Sequence, residues 1–467
     1  MKHRHRVLWA VTFALTAWMT IVTCRQTFGQ IPREPESIPR TRDAERGRRG
    51  DQGRRREGRD GMRGGGPRQR YSIDQAVSDN AQLHTIAFSG LAFLTGDFGA
   101  STFIPPGKVC DYFGFQYMRD IDAAGKGHNP MFLNRVAGNV LQVLSEKQKQ
   151  VFRDLAAEQA PQLESLARMR LPLIKAFYQQ RDGVLPAGST GLNKQAVAEY
   201  VGEIFARDAE LSLRRAEAMA QVYRSLTDDQ RSYFAKMKFG DFDSWPPLDQ
   251  RDRPQERSRG RSKLHNVAYM TYVSEFFSWT AGSVEADAYF CPERHGTYFG
   301  GFYMKDMPAM GKRDFDISTS VTGDSGRDFL EVVLSPEQRR VIVATLAPQR
   351  QALEEIVTLR KSVSTELRKL LVGTAPDRDK VVALGRRYGQ LDGEMSWRYT
   401  MAFSEVNRTL TDDQRAALKR LRNLEGYQSA PYYLFSQAVQ ASPKLESVDR
   451  FFAEPSQTEA GTTETPK

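Results

Sequence analysis

The 467-residue sequence predicts a mainly α protein made of two tandem repeats, each a helical bundle or hairpin with an irregular aromatic- and Gly-containing head. Three observations predict it. The chain repeats itself internally, long segments carry apolar residues at helical spacing, and capping motifs stand ahead of several of those segments.

The duplication is read directly. Tyr112–Asp120 (YFGFQYMRD) returns as Tyr298–Asp306 (YFGGFYMKD) at an offset of 186, and Leu226–Arg231 (LTDDQR) returns as Leu410–Arg415 at an offset of 184. Leu83-His84 corresponds to Leu264-His265 at an offset of 181. Offsets that drift so little over so long a span mark a copied unit with small loop insertions. Composition sets the boundaries: a signal peptide over 1–29, a disordered Arg/Gly-rich segment over 30–70, repeat 1 over 71–244, a linker over 245–262, repeat 2 over 263–450 and a disordered tail over 451–467.

Each repeat divides into a head rich in glycine, proline and aromatics and a body that reads as three long helices. In the last long helix of repeat 1, Val197, Val201, Ile204, Leu211, Met219, Val222 and Leu226 mark one face; Val381, Tyr388, Met395, Ala402, Val406 and Leu410 do so in repeat 2. Such faces are buried most simply in an antiparallel bundle. Pro161, Pro172 and Pro348 are expected to kink or break the middle helices.

Four motifs open helices: Leu144-Ser145-Glu146-Lys147-Gln148, Leu226-Thr227-Asp228-Asp229-Gln230, Leu334-Ser335-Pro336-Glu337-Gln338 and Leu410-Thr411-Asp412-Asp413-Gln414. Each is a capping box, in which the Ser or Thr accepts from a backbone N–H and the Gln three residues on reaches back. Two such motifs per body, in a chain with a signal sequence, resemble the LTxxQ pattern of the periplasmic Spy/CpxP family. The resemblance covers only the helical bodies. It implies a non-enzymatic envelope-stress role, either cradling unfolded clients or sensing metals.

The candidate site residues recur between copies. Asp208 and Asp392 fall on the apolar stripes, where an unpaired carboxylate would be costly. Two readings are open: a structural ion pair, with Arg170 and Arg360 or Arg119 and Lys305 as partners, or a divalent metal site completed by His84 and His265. Tyr112, Phe113, Tyr117 and Met118, with Tyr298, Phe299, Tyr303 and Met304, either seal the head onto the bundle or line a site for an apolar ligand or client segment. Cys110 and Cys291 remain once a signal is removed, and export would let them form a disulfide although they are not repeat equivalents.

Lys2, Arg4 and Arg6 followed by the apolar run Val7–Thr23 read as an export signal, which places the chain in the periplasm or outside the cell; an uncleaved signal would instead anchor it to the membrane. The formal charge of +10 lies in the first 70 residues. Four bases and no acid precede residue 31, thirteen arginines face seven acids over 31–70, and residues 71–467 carry no net charge. The body is therefore not expected to bind nucleic acid, and contact with acidic surface polymers falls to the Arg/Gly tract. Neither copy carries a P-loop, a dinucleotide fingerprint or a shared nucleophile–base pair, so no catalytic residue is expected. The sequence thus predicts an exported, chaperone-like binding protein for unfolded or apolar polypeptide. A metal- or cofactor-binding protein with one site per repeat and a structural surface protein are the alternatives.

Overall fold

In the computed structural model the described residues are 73–104, 112, 131–237, 245–247, 263–289, 328–422, 424, 432–435, 437–439, 445 and 447–453. They belong to one compact unit, Gly65–Lys467, and they are mainly α. The helices are α1 (Ile73–Ala76), α2 (Asp79–Thr95), α3 (Phe98–Thr102), α4 (Met131–Val143), α5 (Glu146–Asp182), α6 (Lys194–Arg224), α7 (Asp228–Lys236), α8 (Lys263–Ala281), α9 (Val284–Tyr289), α10 (Pro336–Val343), α11 (Leu346–Arg368), α12 (Arg378–Thr409) and α13 (Asp412–Leu421). A π turn, Phe329–Val333, precedes α10 and a 3₁₀ turn, Lys369–Val372, follows α11.

Local sequence explains these bounds. All four capping boxes form, at Ser145, Thr227, Ser335 and Thr411. Asn193 and Asp377 cap α6 and α12 through their side-chain oxygens. The apolar stripes are buried as expected, apart from Leu211, which is half-buried.

Two expectations need correction. Each body holds two long helices flanked by short ones, not three long ones: the LTDDQ motifs start the 9-residue α7 and the 10-residue α13. Pro161 and Pro172 do not interrupt α5, which runs 37 residues through both of them. The burial of Leu155, Leu163, Leu166, Leu173 and Phe177 along that helix outweighs the hydrogen bonds the prolines remove. Pro348 does sit beside a break, between α10 and α11.

Helices α6 and α12 form the central pair and run antiparallel. At one end Trp397 Nε1 donates to the Leu192 carbonyl at 2.9 Å and Lys194 pairs with Glu394 at 2.7 Å; further along, Arg386 pairs with Glu203 and Arg378 with Glu217. The backbones approach closely because α12 carries glycine at the crossing. A Cβ at Gly389 would stand 2.6 Å from the Val201 carbonyl oxygen, and one at Gly393 2.8 Å from Ala198 Cα.

Around this pair, α2 packs on α11, α12 and α13, while α8 packs on α4, α5, α6 and α7. The short α3 lies on α5 and α9 on α11. A strand pair was not anticipated: β1 (Tyr432–Leu434) and β2 (Gln437–Val439) form a hairpin, with β1 packed beside α3. The ordered chain also passes residue 450, where the tail was expected to begin, because Phe451 and Phe452 are buried against the start of α6. Among the described residues no helix is long and apolar enough to cross a membrane.

Candidate functional site

The capping glutamines meet in pairs. Gln148 Nε2 donates to Gln230 Oε1 at 3.1 Å, and Gln230 Nε2 returns a bond to Gln148 Oε1 at 2.8 Å. The second donor of each amide goes to a backbone carbonyl, Ser225 for Gln148 and Val143 for Gln230. Each Oε1 also accepts its own cap N–H, from Ser145 and from Thr227. Gln338 and Gln414 build the same clasp at 3.2 and 2.8 Å, with Thr409 and Val333 as the carbonyl partners. Every amide donor is used and both lone-pair positions of each oxygen are filled, so the clasps bury without an orphaned polar atom. Glutamate would satisfy a capping box equally well but would set two carboxylates face to face. The motif spacing gave the caps; that two caps share one hydrogen-bonded ring could not be seen from either motif alone.

Asp208 lies on α6 within a buried charged group. Its Oδ1 accepts from Arg215 at 3.2 Å, and Arg215 also reaches Ser212 Oγ at 2.8 Å and both Glu275 oxygens at 3.2 and 3.3 Å. Tyr272 on α8 covers the group: its ring faces the Arg215 guanidinium and its hydroxyl donates to Gln159 Oε1 at 2.7 Å. Burial pushes the Asp208 carboxyl up to about 6, against the pull of Arg215. The partner is therefore Arg215, about two turns further along the same face, and not Arg170; Arg119, the other candidate, lies outside the described residues. Arg170 instead donates to the Thr102 and Ser101 carbonyls at the end of α3, at 3.1 and 3.3 Å.

The surroundings of Asp392 differ. Asp392 is fully buried on α12 between Gly389 and Gly393. Arg360 turns to α9, donating through Nε to the Asp287 carbonyl at 3.0 Å and through a terminal nitrogen to the Tyr388 hydroxyl at 3.2 Å. The Asp287 carboxylate accepts from Ser364 and, at 2.8 Å, from Arg368. Neither α9 acid nor α8 acid was picked out from the sequence; Glu275 and Asp287 sit in segments with little stripe-like spacing, so burial was not signalled.

The residues proposed to bind metal are dispersed. His265 Nε2 lies 3.2 Å from the Arg153 carbonyl, in the second turn of α5, and Asp392 belongs to the α6–α12 crossing. His84 lies in α2, and its side chain is outside the described residues. Among the described residues no three His, Cys, Asp or Glu side chains come together as a metal site. Of the aromatic set, Tyr112 is fully buried and edge-on to Phe177 of α5 at 5.5 Å. Phe113, Tyr117, Met118, Arg119, Tyr298, Phe299, Tyr303, Met304 and Lys305 lie outside the described residues, as do Cys110 and Cys291. The exposed large apolar side chains among the described residues are Val184, Val332, Val343 and Val372, scattered over different turns.

Comparison with known proteins gives no matching family model, no matching curated protein and no matching solved structure.

Proposed function

We propose that the chain is an exported, non-enzymatic helical binding protein of the chaperone-like kind, built from two copies of one unit. The observation that carries this reading is the glutamine clasp, formed at corresponding motifs in both bodies. It makes the paired Leu-Thr/Ser-x-x-Gln motifs a single device that staples the ends of a helical body, and so supports the likeness to the Spy/CpxP type. The buried charges support the same reading. Asp208, Arg215, Glu275, Asp287, Arg360 and Arg368 are engaged with partners between helices. Contact with unfolded or apolar polypeptide falls to the head segments that carry Phe113, Tyr117, Met118, Phe299, Tyr303 and Met304.

The test is suppression of aggregation of a reduced model substrate by the full exported chain. Suppression that is lost when Phe113, Tyr117, Phe299 and Tyr303 are changed to Ser, with helicity retained, is the expected result. No suppression and no binding of an apolar dye by the unaltered chain would end the chaperone-like reading.

A further inference from the structure

Each long head helix rests on the other copy's body. On one side, α2 of the first copy lies on α11, α12 and α13 of the second. Gln349 Nε2 donates to Gln82 Oε1 at 2.7 Å between buried residues, Arg350 pairs with Asp79, and Arg422 reaches Thr95 Oγ1 at 2.9 Å. Gly90 lets the helix settle against Phe403, whose ring would stand 2.6 Å from a Cβ there. On the other side, α8 of the second copy lies on α5, α6 and α7 of the first. Tyr272 donates to Gln159, Glu275 pairs with Arg215 at 3.2 Å, and Phe276 stacks edge-on with Phe152 at 5.6 Å.

The exchange is reciprocal. Gln159 and Gln349 are equivalent at the offset of 190 that also relates Arg170 to Arg360, and each receives a polar side chain from the foreign head helix. The short helices that follow return home: α3 is held by Arg170 and Tyr178 of its own body, and α9 by Arg360 and Ser364 of its own. Helix α2 buries Ala81, Ile86, Leu91, Ala92, Phe93 and Leu94, and α8 buries Tyr269, Tyr272, Val273, Phe276, Phe277 and Trp279. Helices apolar on so many sides need cover on more than one face, and that cover comes from the other copy.

We infer that the two copies recognise each other by exchanging head helices, so that each body is a docking surface whose partner is the head helix of a second copy of the same unit. In the intact chain the linker supplies that second copy; in a cut chain a separate polypeptide supplies it. The inference rests on the two-copy reading but not on what the protein binds, so failure of the aggregation assay leaves it standing.

A full-length chain with a protease site in place of residues 250–256 tests it, with Cys24, Cys110 and Cys291 changed to Ser. One version carries Gln82→Cys and Gln349→Cys, and another Gln159→Cys and Tyr272→Cys. After native cleavage and oxidation, each version is expected to run as one covalently joined band without reductant and as two fragments with it. The cut chain lacking the added cysteines is expected to elute at the mass of the intact protein, which keeps the readout available if a cysteine pair fails to fold. Fragments that stay unlinked in both folded versions, or that part into two monomers with helicity unchanged, would overturn the inference.

Discussion

Arg215 faces two carboxylates, Asp208 and Glu275, so the buried group carries one net negative charge when both acids are ionised. Desolvation by burial outweighs the pull of Arg215 on the Asp208 carboxyl and pushes it up to about 6 from 3.8. A folded-state pKa above the unfolded value means the native state binds the extra proton between those limits. The stabilisation is therefore complete below about 3.8 and is lost as pH rises through about 6. Asp208→Asn keeps the hydrogen-bonding shape without the charge. At pH 8 it is expected to leave the chain at least as stable as the parent, with a gain of up to about 3 kcal/mol, and the difference should shrink towards pH 4. Denaturant titrations of both proteins across that range check it; a variant less stable at pH 8 would show that the ion pair outweighs the desolvation. Glu366 has the opposite sign. Bonds from Lys369, Lys380 and the Asp377 N–H hold its carboxyl down at about 2, so its contribution is present above pH 4.5 and fades as pH falls through about 2. The glutamine clasp gives a second residue-scale prediction. Gln148→Ala leaves Gln230 with an unfilled donor and acceptor, at a cost of about 1–3 kcal/mol, and Gln230→Ala does the same to Gln148. The double variant should cost less than the sum of the two single ones, by about 0.5–3 kcal/mol, because the second deletion removes the orphaned partner.

Among the elements, the α6–α12 pair depends most on a single residue type. The packing distance at Gly389 leaves no room for a methyl group against the Val201 carbonyl and the Phe205 side chain, and Gly393 is closed by Ala198. Gly389→Ala should raise intrinsic helix propensity and yet lower the midpoint of unfolding, at a net cost of about 1–3 kcal/mol, because the clash is with backbone that cannot yield. Thermal unfolding checks the sign. Gly183 is the control: it caps α5 at φ +73° with nothing near its missing Cβ, so Gly183→Ala should cost only the left-handed backbone penalty. The helices and caps were legible because they rest on local chemistry: N-cap side chains, Gln at the third position and apolar residues at helical spacing. The faces of α6 and α12 were legible for the same reason. Contacts between distant segments were not. The clasp joins residues 82 positions apart, and Arg215 and Glu275 lie 60 apart on different helices. Arg215 follows Arg214 in sequence and nothing in its local spacing singles it out; the arrival of α8 makes it part of a buried group. The prolines of α5 misled because their cost is local while the burial that overcomes it is tertiary.

At the scale of the molecule, three kinds of contact join residues before the 245–262 segment to residues after it: the α6–α12 pair, the helices α2 and α8, and the C-terminal segment. In the last of these, Asn193 N–H donates to the Phe451 carbonyl and Ala453 N–H to the Gly191 carbonyl, each at 2.8 Å, while Phe451 packs on Tyr200 at 5.0 Å. The segment Phe451–Ala453 is thereby fastened to the α5–α6 turn. With so much of the packing on each side of the 245–262 segment completed by helices from the other side, neither side can lose its packing without exposing apolar surface on both. The expected consequence is one cooperative transition for residues 71–467, with calorimetric and van't Hoff enthalpies in agreement. Gln148→Ala, which touches only the first body, is expected to move that transition down intact. Two separate beads on a linker would respond differently, with one transition shifted and the other left in place. Truncation separates the contribution of the C-terminal segment. Ending the chain at Ala453 should change little, whereas ending it at Pro443 removes two buried phenylalanines and should cost about 3–6 kcal/mol. If the second truncation lowered the midpoint of only part of the helical signal, the fastening would be local to the first copy and the cooperative account would fail; a single, lower transition would show that the chain's end stabilises both copies together.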